Sequence, residues 1–206
     1  MKASQVATIT TLALLAGGAG GFFLGQSRNL PASADVVFAQ DMMTHHAQAI
    51  DMANRLNVRL LAEPKLNEQQ QIIKYLTYDI ITGQSNQNGQ MLGWLNLWNQ
   101  SATNPEPMDM EAMGMAKAEQ VQDLSTLPLN DATISFLQLM IRHHQGGVMM
   151  AEDALKAART EVVKNLAQKV VTAQSNEIRE MKNLIVQFDA QPLEDLQPMP
   201  DMDHNH

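Results

Sequence analysis

The residues with the clearest chemical potential are two adjacent histidine pairs in matching contexts. Residues 38–46 read Phe-Ala-Gln-Asp-Met-Met-Thr-His-His, and residues 136–144 read Phe-Leu-Gln-Leu-Met-Ile-Arg-His-His. In both segments a methionine stands three residues before the first histidine, and another follows seven residues after it. Thioether sulfur and imidazole nitrogen together favour soft ions such as Cu(I), with Ag(I) as a chemical mimic, over hard cations. The doubled pattern therefore predicts soft-metal binding.

A second repeated motif follows each histidine pair. Gln-Ser-Asn occurs at residues 84–86 and again at 174–176, and a methionine stands seven residues after each glutamine. Each half of the chain thus pairs a His-His segment with a Gln-Ser-Asn segment. The candidate metal ligands within this repeat are Met42, His45, His46, Met52, Met91, Met140, His143, His144, Met150 and Met181.

Two further segments are rich in soft donors. Four methionines fall within eight residues beside prolines and acidic residues, where there is little other apolar sequence for them to pack with. Methionine as flexible filler is the ordinary explanation, and the C-terminal segment has the composition of a mobile tail. We predict weaker metal sites in both. Their candidate ligands are Met108, Met110, Met113, Met115, Met199, Met202, His204 and His206.

The composition limits both the donor atoms available to a metal site and the expected partners. The chain has 15 Met and no Cys, so a soft site here must use thioether and imidazole rather than thiolate. Thioethers form no disulfides, which suits an oxidising compartment. The net charge is -8 and there is no basic stripe, so nucleic acid is not an expected partner.

Helical periodicity explains how these side chains would be positioned. Phe38, Met42, His45, Ala49, Met52 and Leu56 form one stripe spaced by three and four residues, and the second repeat has a matching stripe. Such a stripe is typical of a buried bundle face. We predict an all-α fold, a ferritin-like four-helix bundle built from two repeated helical hairpins. The expected helices span about 34–61, 67–98, 130–159 and 160–188, with a short methionine-rich helix near 108–124.

The histidines should differ in direction. Adjacent residues of a helix point about 100° apart, so the first histidine of each pair should face the bundle centre and the second a neighbouring helix or the rim. Buried polar groups need partners. These groups can satisfy each other, or a metal can take the histidine nitrogens while Gln84, Gln87, Gln174 and Glu177 orient the imidazole rings. With an ordinary histidine pKa, metal binding at these sites should weaken below about pH 6.

The N-terminal segment indicates export. Lys2 is followed by an uncharged run to Ser27, and Ala32-Ser33-Ala34 resembles a small-residue cleavage site, although an uncleaved membrane anchor is also compatible. We expect a periplasmic or otherwise extracytoplasmic protein that meets the membrane only through this segment. The predicted organisation is a signal peptide or membrane anchor at 1–34, a bundle at 35–190 and a flexible Met/His tail at 191–206. Within the bundle, repeat one spans 35–100, the methionine-rich linker 101–129 and repeat two 130–190.

The doubled Phe-x-x-x-Met-x-x-His-His motif, each copy followed by Gln-Ser-Asn and a methionine, resembles the ferritin-like domain-of-unknown-function family 305 over about residues 35–190. The resemblance implies a four-helix fold and export. For members that bind copper, it also implies protection against excess copper. The motif positions are Met42, His45, His46, Met140, His143 and His144, with Met91 and Met181 from the companion helices.

We therefore expect an extracytoplasmic protein that sequesters or chaperones Cu(I), with Cu(II) or Ag(I) as further ions, in copper resistance and homeostasis. A copper efflux or sensor protein is a candidate partner. We do not expect an enzyme, because no Gly-x-Ser-x-Gly motif, phosphate loop or inward carboxylate pair is present. The alternatives are a haem electron carrier and a metal-free structural or partner-binding bundle. A di-iron site is disfavoured because no Glu stands three residues before a His, and zinc because Cys is absent.

Overall fold

The computed structural model describes residues 30–106 and 108–197, and every regular element in that part of the chain is helical. The predicted all-α four-helix bundle is confirmed. Most of the expected N-terminal export segment and the ligands Met199, Met202, His204 and His206 lie outside the described residues. No described helix is long and apolar enough to cross a membrane. The helices are α1 (Ser33–Ala62), α2 (Glu68–Leu97), α3 (Ala118–Asp123), α4 (Leu129–Ala157) and α5 (Glu161–Ile185), and a 3-10 turn, Val186–Phe188, follows.

Local side-chain chemistry sets the helix ends. At the start of α2, Asn67 and Gln70 form a reciprocal capping box: the Asn67 side chain accepts from the Gln70 N–H at 2.8 Å, and the Gln70 side chain accepts from the Asn67 N–H at 3.0 Å. Helix α4 begins slightly earlier than expected, after Pro128, whose carbonyl accepts from the Ala132 N–H at 2.9 Å. Proline has no N–H that needs a cap, so it starts a helix readily.

The methionine-rich segment corrects the sequence prediction. Residues 108–117, which we call the methionine strap, form turns, and only Ala118–Asp123 is helical. The Asp109 carboxylate accepts from the N–H groups of Glu111 and Ala112 at 3.1 and 3.0 Å, which caps a single turn. Gly114 then adopts a φ of +69°, a left-handed conformation that ends any helical path.

The buried apolar residues fall into two clusters. One, the Phe136 cluster, includes Leu56, Ile80 and Phe136; the other, the Phe38 cluster, includes Phe38, Leu95 and Val163. On each long helix, polar residues stand between the members of the two clusters. We call these residues the polar layer. They are His45, His46, Gln84, Gln87, His143, His144, Gln174 and Glu177.

The clusters also give the helix directions. Helices α1 and α5 run from the Phe38 cluster to the Phe136 cluster, and α2 and α4 run the opposite way. The connection between α2 and α4 must therefore travel the length of the bundle, as the single long crossover of a ferritin-like fold does. This route carries the methionine strap past the polar layer.

A buried carboxylate joins the start of α1 to the turn between α4 and α5. Asp35 accepts hydrogen bonds from the backbone N–H groups of Ala32, Arg159 and Thr160 at 2.7 to 3.0 Å, and from the Thr160 hydroxyl at 2.6 Å. Burial alone would raise the pKa of Asp35, but these hydrogen bonds outweigh it and hold the pKa below its ordinary value. Thr160 precedes α5 as predicted, although its hydroxyl binds Asp35 rather than capping the helix.

Candidate metal centre

The four histidines of the bundle meet in the polar layer in the predicted directions. His45 of α1 and His143 of α4 stack at the centre, with ring centroids 3.7 Å apart and planes inclined by 32°. His46 turns towards α2, and His144 turns towards α5. All four side chains are buried. The antiparallel packing of α1 on α4 therefore brings the two repeats of the motif together at one level.

Three of the four rings are oriented by acceptors. The Nε2 atoms of His46 and His144 lie 2.6 Å from Gln87 Oε1 and 2.7 Å from Glu177 Oε2, and His45 Nε2 lies 3.1 Å from the Met113 carbonyl oxygen. A carbonyl or carboxylate oxygen only accepts, so each Nε2 carries the proton and donates it. When such a ring is neutral, its lone pair is on Nδ1. Metal-binding histidines usually show this arrangement, with the distal N–H held by an oxygen.

The remaining polar atoms of the layer have no partner. Buried atoms without a hydrogen bond include Nδ1 of all four histidines, Nε2 of His143 and both amide atoms of Gln84 and Gln174. Apart from Asn88 Oδ1, every such side-chain atom in the described part of the chain belongs to the polar layer. An unsatisfied buried polar group costs about 1–3 kcal/mol. Coordination of a soft ion by the imidazole lone pairs would remove part of that cost.

Burial favours the neutral form of the imidazole at His45, His46 and His143. Desolvation lowers the pKa of His45 to about 3 and that of His46 to about 4, and it lowers the pKa of His143 well below its ordinary value. Protons therefore do not compete for these nitrogens in the folded protein near neutral pH. The expectation of weaker binding from about pH 6 is wrong for the folded state, because it assumed an ordinary histidine pKa.

The bundle methionines lie on both sides of the polar layer in two groups. The first methionine group, Met42, Met91 and Met150, belongs to or packs against the Phe38 cluster. The second methionine group, Met52, Met140 and Met181, belongs to the Phe136 cluster. Each group takes two members from one repeat and one from the other, because α1 and α4 run in opposite directions. All are buried except Met150, which is half-buried.

The strap methionines do not form one site. Met108 and Met113 line a cavity of about 260 Å³ together with Met150 of α4. Met110 and Met115 line a different cavity beside Arg142. The structure thus separates the predicted linker ligands into two pairs and joins one pair to a bundle methionine.

Carboxylate and imidazole groups alone do not build a metal cage here. Among residues 30–106 and 108–197, no three His, Asp or Glu side chains are grouped so that they could hold a metal ion. Imidazole and thioether sulfur together are the donor set of a soft ion.

Sequence analysis did not identify two features of the centre. The Met113 carbonyl holds His45, and the glycine pair Gly146-Gly147 follows the second histidine pair at close contacts. A Cβ at Gly146 would overlap the Met113 carbonyl, and one at Gly147 would overlap the Gln174 amide. For the glycine pair the signal was present in the sequence, because the first repeat has Gln48 and Ala49 where the second has Gly146 and Gly147.

Comparisons with known proteins agree with this architecture. The family model DUF305, a domain of unknown function, matches residues 35–185. A presumed secreted DUF305 protein from Streptomyces coelicolor is 36% identical, with a TM-score of 0.70, and the match covers 80% of this chain and 98% of that chain. A DUF305 fragment from Deinococcus radiodurans is also 36% identical, with a TM-score of 0.66 and coverage of 76% and 98%. CopM in its Cu(I)-bound form is 26% identical, with a TM-score of 0.58 and coverage of 76% and 98%, and it has also been solved with Cu(II) and with Ag. No curated protein matches the sequence.

Proposed function

The chain belongs to the DUF305 family, and from that premise we propose that it is an extracytoplasmic copper-binding protein that sequesters or chaperones Cu(I). One observation carries the proposal. Imidazole lone pairs without hydrogen-bond partners are buried between two groups of methionines. The copper- and silver-bound forms of CopM support it, because that structural neighbour covers three quarters of this chain.

We assign the ligand roles from the geometry of the polar layer. The Nδ1 atoms of the histidines supply nitrogen, while Gln87, Glu177 and the Met113 carbonyl hold the opposite ring edges in place. The adjacent methionine groups supply sulfur. The internal repeat places one methionine group on each side of the layer, so we propose two related Cu(I) sites. Ag(I) fits the same soft donors, and Cu(II) fits the imidazoles.

The proposed role is binding rather than catalysis, with release of copper to an efflux or sensor protein. The location outside the cytoplasm is supported by the relative from Streptomyces coelicolor, which is described as a secreted protein. A haem carrier gains no support from the layer. The rings of His45 and His143 are in contact at 3.7 Å, so no porphyrin fits between them.

Anaerobic titration with Cu(I) against a competing chelator tests the proposal. The wild-type protein should take up Cu(I) and melt at a higher temperature, because a ligand that binds only the folded state stabilises it. Met42→Leu with Met91→Leu should lose one of the two proposed sites with little change in packed volume. Met149→Leu is the matched control, since Met149 lies outside both methionine groups and lines a different cavity.

Two results would contradict the proposal. A melting temperature that does not change on addition of Cu(I) or Ag(I) would indicate that the folded bundle binds neither ion. Unchanged stoichiometry in a variant with all four bundle histidines replaced by Ala would remove the polar layer from the site, provided that circular dichroism shows the variant to be folded.

A further inference from the structure

A second arrangement of soft donors lies at the surface, beside the polar layer. The cavity of about 260 Å³ between α1, α4 and the methionine strap has three methionines among its lining residues, Met108, Met113 and Met150. Asp41 and Asp153 also line it. These methionines come from two distant parts of the chain, so the sequence alone does not bring them together. We call this space the strap cavity.

The strap is fixed on both sides of the cavity. Before it, Asn104 donates to both carboxylate oxygens of Asp41 at 3.0 and 3.2 Å, which ties the preceding loop to α1. Near the C-terminal end of the strap, Gln48 of α1 makes two hydrogen bonds with the Ala116 backbone, at 2.7 and 2.9 Å. Met113 is held between these anchors, with its carbonyl on His45. Met113 therefore lines a built cavity and is not part of a loose linker.

The cavity also adjoins the buried centre. Met150 lines the cavity and packs against the cluster that contains Met42 and Met91. On the strap side, Met113 lines the cavity and holds His45 through its carbonyl. The four bundle histidines have no exposed surface, so an ion reaches them only after neighbouring groups move aside.

One carboxylate at this cavity favours a cation. Asp41 and Asp153 are both among its lining residues, but an ion pair with Lys156 at the exposed surface offsets the charge of Asp153. Thioethers bind soft monovalent ions and carry no proton in the physiological range, so protons do not displace the ion. The Asp41 carboxylate concentrates cations at the opening, and sulfur selects the soft ones.

We propose that the strap cavity is an exchange site for soft monovalent cations, at which Met108, Met113 and Met150 bind Cu(I) or Ag(I) between solvent and the polar layer. The cavity site can bind an ion by itself, and its exchange role rests on the proposed function. The strap is then the part of the protein that opens when an ion passes inwards, because it covers His45 and supplies two of the three sulfurs.

The test uses the full chain and compares two matched double variants of the strap. Met108→Leu with Met113→Leu removes two cavity sulfurs, and Met110→Leu with Met115→Leu removes the two strap sulfurs that line the other cavity. Stopped-flow transfer of Cu(I) from a chelator measures the rate of loading. The first variant should load more slowly by about tenfold or more, and the second should match the wild type. Equilibrium uptake by the polar layer should be equal in all three.

Methionine methyl NMR during titration with Ag(I) separates this inference from the proposed function. The methyl signals of Met108, Met113 and Met150 should shift, and so should those of Met42 and Met91. Met150 belongs to both sites, so Met108 and Met113 report on the strap cavity alone. Shifts of Met42 and Met91 without any change at Met108 and Met113, together with wild-type loading rates in both variants, would overturn the inference and leave the proposed function standing. Shifts of Met108 and Met113 without any change at Met42 and Met91 would support the cavity site and overturn the buried one.

Discussion

Replacement of His143 by Leu should make the metal-free protein more stable. Both ring nitrogens of His143 are buried without a hydrogen-bond partner, against His45 at 3.7 Å. Each such group costs about 1–3 kcal/mol, and the imperfect fit of Leu offsets part of the gain, by about 1 kcal/mol. We expect a net gain of about 2 kcal/mol in the free energy of unfolding, which raises the melting temperature by about 4–8 °C for a domain of this size.

The same substitution should weaken the response to metal, because it removes an imidazole from the centre. The assay is urea unfolding followed by circular dichroism at pH 7.5, first with a chelator and then with saturating Cu(I). The matched control is Asn57→Leu. Asn57 is buried but donates to Thr77 Oγ1 at 2.8 Å and to the Lys74 carbonyl at 3.1 Å, so its loss should destabilise the protein by about 1 kcal/mol.

The free energy of unfolding should rise in His143→Leu and fall in Asn57→Leu. Such opposite changes would distinguish a metal-binding histidine without hydrogen-bond partners from an ordinary buried polar residue. If His143→Leu instead destabilises the metal-free protein by about 1 kcal/mol or more, as Asn57→Leu should, then His143 is a satisfied core residue and the reasoning fails.

Two other predictions concern the pH dependence of stability and the substitution of two glycines. The metal-free protein should lose stability as the pH falls below about 6.5, by up to about 1.4 kcal/mol per pH unit for each buried histidine. The effect applies to His45, His46 and His143: the unfolded chain takes up protons there, whereas burial lowers the folded-state pKa of His45 to about 3, that of His46 to about 4 and that of His143 well below its ordinary value. Equal stability in urea at pH 7 and pH 5 would contradict this. Gly146→Ala should destabilise the protein by about 1–3 kcal/mol, because its Cβ overlaps the Met113 carbonyl. Gly89→Ala, with open space around it, should stabilise α2 by up to about 1 kcal/mol, and equal melting temperatures would refute the contrast.

The direction of each histidine could be predicted because helix geometry alone determines it. Neighbouring residues point about 100° apart, so one ring of each pair had to leave the centre, and the half-buried Gln87 and Glu177 stood at the right level of the companion helices to receive it. Local periodicity was sufficient for this part of the site.

The grouping of methionines could not be predicted in the same way. Sequence spacing places Met42 one turn from His45 on the same helix face. The presence of Met150 in the first methionine group depends instead on α1 and α4 running in opposite directions. The repeat fits two hairpins packed in either relative direction. Only the long crossover between α2 and α4 decides between them, and its path depends on tertiary contacts.

The strap was the hardest part to predict. Its conformation depends on a turn capped by Asp109, a left-handed glycine and the pairing of Gln48 with the Ala116 backbone, 68 residues away. Methionine-rich composition favours helix by propensity, and the turn chemistry outweighed it. The contact between the Met113 carbonyl and His45 follows from that path and has no signal of its own in the sequence.

Copper K-edge X-ray absorption on the Cu(I)-loaded protein identifies the atoms bound to the metal and so examines the proposed ligand set itself. We expect both sulfur and imidazole nitrogen bound to copper in the wild type, and loss of imidazole scattering when the four bundle histidines are replaced. A shell of oxygen and nitrogen without sulfur, or a spectrum unchanged by the loss of those histidines, would contradict this ligand set.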